Sequence, residues 1–66
     1  MNLIEAIQAE CDRVRDVLLP QYASIGPAGT FGTVMLRQSV AQGEKAIASG
    51  DVVLMVHALK ALQACE

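Results

Sequence analysis

The sequence predicts an all-α fold, a small helical hairpin plus a third helix, assembled as a homo-oligomer. Three observations carry this. The chain has 66 residues, 53% of them hydrophobic, yet only one Tyr, one Phe and no Trp. Ala, Val, Leu, Ile and Met supply the apolar content, which suits helices more than sheets. Apolar residues recur at helical spacing in three stretches, and two glycine-marked corners separate them. A chain of this size buries only about 60% of the surface it exposes when unfolded. It therefore holds more apolar surface than one small core hides, and association is the expected remedy. One helical domain, 1–66, is expected.

Helix one is expected over about 2–25. Asn2 is a capping residue, and Glu5 three positions on completes a capping-box pattern. Ile4, Ile7, Cys11, Val14 and Leu18 then recur in alternating steps of three and four, the spacing of a helix stripe. Pro20 interrupts this run. An internal proline loses a hydrogen bond and costs roughly 3 kcal/mol when nothing compensates. The stripe nevertheless continues through Tyr22 and Ile25, so a helix kinked at Pro20 is expected, with a break there as the alternative. Gly26 followed by Pro27 is how helices end.

Helix two is expected over about 31–49, with Thr30 as its N-cap and Phe31 as a staple at its start. Leu36, Val40, Gly43 and Ile47 share one face, with Met35, Ser39 and Ala46 beside them. Gly32 and Gly43 each cost about 1 kcal/mol relative to Ala inside a helix. Close approach of a neighbouring element is their expected use.

Helix three is expected over about 51–65. Gly50 closes the preceding helix and Asp51 caps this one. Val52, Met55, Leu59 and Leu62 form its main stripe. Leu54, Val56, Ala58, Ala61 and Cys65 flank that stripe on both sides. A helix so apolar is buried on more than one face, and the second face is expected to meet another subunit. Leu54, Met55, Val56 and Leu59 are the expected interface residues.

Charge and cysteines narrow the function. The net charge is −2, and Arg13, Arg15, Arg37, Lys45 and Lys60 are scattered, so duplex nucleic acid is not an expected partner. The longest strictly apolar run, Val52 to Val56, falls far short of the ~20 residues that span a bilayer. No membrane association is expected. The N-terminus lacks a basic, signal-like region, and a cytoplasmic protein is expected. Cys11 and Cys65 form no metal-binding spacing. They read as two reduced thiols, one of them packed in the core.

No nucleophile stands with a base, and His57 has no partner set, so neither an enzyme nor a cofactor is expected. The most distinctive stretch is Ile25-Gly-Pro-Ala-Gly-Thr-Phe-Gly32. Glycines ahead of a helix expose backbone N–H groups toward anions. The pattern is neither a Walker A loop nor a dinucleotide fingerprint. As an anion site it would use Gly29, Thr30 and Gly32, with charge from Arg37 or a neighbouring chain's Lys60. Tyr22 would stack on a base. The plain alternative is a turn that closes a hairpin.

The run IGPAGTFGTVM followed by AIASGDVVLMV resembles a group of small helical accessory proteins encoded in tailed phages and prophages. The likeness covers about residues 3–65. It implies a role against a host system, exerted in the host cytoplasm. Some such proteins bind a host protein. Others, similar in kind to the anti-CBASS and anti-Thoeris sponges, sequester nucleotide signals in oligomers. The resemblance carries over no binding residue. The leading expectation is a non-catalytic oligomer that sequesters a small anionic nucleotide. The alternative is an inhibitor or adaptor of a host protein, acting through the apolar face of helix three.

Overall fold

The computed structural model describes residues 2–66. Among them every regular element is helical: α1 (Leu3–Arg13), a π-helical turn (Val14–Leu18), α2 (Leu19–Ser24), a 3-10 turn (Gly26–Gly29), α3 (Thr30–Ser49) and α4 (Val52–Gln63). The first three follow one another without a gap and make a single helical rod. That rod, α3 and α4 pack on one another around a shared core.

Asn2 opens α1 in extended conformation, and its Oδ1 accepts the Glu5 N–H at 2.8 Å. The Glu5 carboxylate takes a hydrogen bond from the Asn2 side-chain amide, a variant of the capping box that ties side chain to side chain. The rod passes through Pro20. The wide turn just ahead of Pro20, closed by the Leu19 N–H on the Val14 carbonyl, shifts the hydrogen-bond register. A ring in a regular helix collides with the carbonyl four residues back, and a π-turn is one of the few local ways to make room. Gly26 ends the rod at φ +66°, where L side chains are strained.

The second corner is local chemistry throughout. Gly50 adopts φ +71° and returns its N–H to the Ile47 carbonyl. Asp51 Oδ1 then accepts from Val53 and Leu54 N–H at 2.9 and 3.3 Å. This satisfies two of the donors that a helix start leaves open.

The core consists of Ile7, Cys11, Val14 and Leu18 from the rod, Leu36, Val40 and Ala46 from α3, and Met55, Ala58 and Leu62 from α4. Gly43 lies where the three helices meet. A Cβ there would stand 3.1 Å from Ile7 Cγ2 and Leu62 Cδ1, and 3.2 Å from Cys11 Sγ. The missing side chain is what lets the helices close on one another. Three expectations are corrected. Ile4 is exposed, so the rod's stripe starts at Ile7 with Leu3 beside it. Val52 is exposed, because the 55–58–62 spacing turns α4 toward the small Ala58. Phe31 is 76% exposed and staples nothing in its own chain.

Two further links tie the elements. Arg15 pairs with Glu44 across to α3 and with Asp12 in its own helix. Arg13 reaches the carbonyls at the end of α4. No helix among the described residues is long and apolar enough to cross a membrane.

Candidate functional site

The glycine turn is built by packing. Gly29, not Thr30, occupies the cap position of α3; Thr30 already has helical backbone angles, and its N–H bonds to the Pro27 carbonyl. The Thr30 cap is therefore corrected: the 3-10 turn passes the chain straight into α3. Gly29 is buried, and an added methyl group would fall inside the envelope of the Tyr22 carbonyl. At Gly32 a methyl group would strike the edge of the Tyr22 ring. Tyr22 itself donates its hydroxyl hydrogen to the Glu66 carbonyl at 2.5 Å. The ring thus clamps the hairpin end and the chain's C-terminal segment together. One ring edge faces Gly32, and the hydroxyl is already used.

Arg37 and Lys60 are exposed, and neither makes an ion pair among the described residues. Two principal grooves mark the surface, and none of Tyr22, Gly29, Thr30, Gly32, Arg37 or Lys60 lines either of them. Tyr22, Gly29 and Gly32 meet at the turn, and neither groove joins them to Arg37 or Lys60.

One groove, about 460 Å³, runs between α1 and α3 past Gln8, Cys11, Asp12, Arg15, Glu44 and Ile47. Its charges satisfy each other through Arg15. The other, about 480 Å³, lies between α3 and α4. Ala46, Leu54 and Ala58 supply its apolar lining, and Gln42, Lys45, Ser49 and His57 its polar one. Sequence reading missed this groove because its residues come from two helices, and each alone reads as ordinary helix surface.

The strongest surface feature is the start of α4. Val52 and Val53 are 63% and 64% exposed, Leu54 51% and Val56 37%. Over its first turn and a half the helix is apolar on every solvent-facing side. Of the four expected interface residues, Met55 is corrected: it points into the chain's own core, and Leu59 is half-buried against that core. Leu54 and Val56 remain accessible, joined by Val52 and Val53.

Neither cysteine is in a disulfide. Burial pushes the Cys11 thiol up from its ordinary range, outweighing the nearby Arg15. A raised thiol is a poor nucleophile at neutral pH. A thiol-specific chromogenic reagent should therefore titrate Cys65 promptly and Cys11 only after denaturation; equal rates for both would contradict the packing described. Among the described residues no group of His, Cys, Asp and Glu is arranged to hold a metal. Compared with known proteins, the chain matches no family model, no curated protein and no solved structure.

Proposed function

We propose that the chain is a non-catalytic binding protein that docks on a protein partner through the solvent face at the start of α4. The observation that carries this is the continuous exposure of Val52, Val53, Leu54 and Val56, with no charged side chain among residues 52–56. Contiguous exposed apolar patches mark interaction surfaces in soluble proteins. The nearest carboxylate, Asp51, is exposed at the edge of this patch, with its Oδ1 held by the helix cap. The resemblance to phage accessory proteins points to a host defence protein as the class of partner, met in the host cytoplasm. The nucleotide-sequestering reading loses its main support. It needed outward-facing glycines, and Gly29 and Gly32 are turned against Tyr22.

A photocrosslinking side chain at Val53 should capture one discrete host protein in cells, while the same group at Gln8 captures none. Val53→Asp should weaken the purified complex by roughly tenfold or more and leave the circular dichroism spectrum unchanged. A thermal shift with cyclic oligonucleotides or ADP-ribose derivatives that disappears in Arg37→Ala would instead restore the nucleotide reading.

A further inference from the structure

We infer that two copies of the chain pair about a two-fold axis at Gln38, each seating its Phe31 in the α3–α4 groove of the other. The inference rests on surface that, Leu54 apart, the α4 docking face does not use. Phe31 is the most exposed large apolar side chain among the described residues, and Met35 one turn on is 46% exposed. At 3.6 residues per turn, Phe31, Met35, Gln38, Gln42 and Lys45 follow one line along α3. The groove between Gln42, Lys45, Ala46, Leu54, His57 and Ala58 opens on that same line at the other end of the helix. Anchor and groove thus share a face, separated by about fourteen residues or roughly 21 Å of helix rise.

That layout is self-complementary. A two-fold interface brings residue i onto j and j onto i. With the axis at Gln38, position 31 of one copy meets position 45 of the other, twice. Phe31 leaves solvent for a groove of about 480 Å³ whose Leu54, Ala46 and Ala58 supply an apolar lining.

The charges agree with a second copy as the occupant. No carboxylate lines the groove, so an aromatic ring enters without desolvating an acid. Lys45 comes over the ring of the opposite Phe31, a cation–π geometry. The two Lys45 ammonium groups sit well beyond the ~8 Å Debye length at physiological salt, so they do not oppose pairing. At the axis the two Gln38 amides meet, and each has both a donor and an acceptor to offer.

The molecule measures 36 × 19 × 17 Å. A pairing along part of its long face falls at or below the ~1,200 Å² in total that the smaller stable interfaces bury, the size class of a weak, reversible dimer.

Sedimentation velocity across the micromolar range, with the complete chain, tests the pairing. The expected result is a reversible dimer of the 7.0 kDa chain. Phe31→Asp should raise its dissociation constant roughly thirtyfold or more, with helicity unchanged because the side chain is already in solvent. In a Cys65→Ala background, Gln38→Cys should form an intermolecular disulfide under mild oxidation, since only Cα atoms within about 7 Å can be bridged. A chain that stays monomeric throughout overturns the inference. So does a dimer indifferent to Phe31→Asp, or one that crosslinks through Val53→Cys and not through Gln38→Cys. The disulfide test stands even if the Phe31 variant folds poorly. The α4 docking reading is scored separately, by partner capture from Val53.

Discussion

Gly29→Ala lowers stability by about 3 kcal/mol, the largest loss expected from any single methyl group added to this chain. The added carbon would overlap the Tyr22 carbonyl and press on Ile25 Cγ1. A side chain can rotate out of such a collision, but a backbone carbonyl inside a helix cannot without loosening its turn. The 3-10 turn must then move off α2, and the Tyr22 clamp on Glu66 moves with it. Gly26→Ala is the control. Nothing lies within 4 Å of a Cβ there, but φ is +66°. Its cost is confined to the left-handed backbone, about 1 kcal/mol. Thermal unfolding should rank Gly29→Ala well below Gly26→Ala, and both below the parent. For a domain this small each kcal/mol shifts the midpoint by about 4–8 °C, so the gap is easily measured. If the two variants unfold together, the close approach at Gly29 is not what shapes the hairpin.

That contrast shows why some of the fold is legible in the sequence and some is not. Asn2, Gly50 and Asp51 act on groups within four residues of themselves, so their residue types reveal their roles. Gly43 was legible for a similar reason: a glycine costs stability inside a helix, and close packing is the usual compensation. Gly29 was ambiguous. A glycine before a helix start can expose N–H groups to a ligand or admit a neighbouring carbonyl, and only the position of Tyr22 decides. The π-turn ahead of Pro20 was not legible, because it is a change of backbone register with no residue type of its own. In α4, Ala58 outranks Leu59 in the core although Leu is the more apolar. The small residue allows the closer helix contact, and hydrophobicity alone does not report that choice. The candidate surfaces divide the same way. The apolar start of α4 was visible as a run of residues, whereas the groove beside it needs two helices at a known rotation.

Arg13→Ala should cost about 2–3 kcal/mol, because one guanidinium serves an acceptor in α1, one in the last turn of α4 and one just beyond it. Its Nε holds Glu10 at 2.8 Å, and its Nη2 donates to the carbonyls of Leu62 at 2.9 Å and Cys65 at 3.1 Å. The Leu62 carbonyl already accepts the Cys65 N–H and offers Arg13 its second lone pair, and a cation placed there also meets the negative end of the helix dipole. The i,i+3 pairing with Glu10, which the sequence suggests as an ordinary surface pair, is the smaller part. Exposed pairs contribute roughly 0–1 kcal/mol. The larger part comes from the charge-assisted bonds to α4, about 1.5–3 kcal/mol each before the half-exposed position of Arg13 is discounted. The two parts separate by substitution. Glu10→Gln should lower the unfolding midpoint only slightly and lose its effect in high salt. Arg13→Ala should lower it by about 10–20 °C and retain most of that effect in high salt. Arg13→Lys should fall between, since an ammonium lacks the fork that spans two carbonyls while holding a carboxylate. Amide hydrogen exchange reports the location: protection should drop first in the last turn of α4, around Leu62. Loss spread evenly over the chain would mean that Arg13 acts through general packing and not by closing the end of that helix.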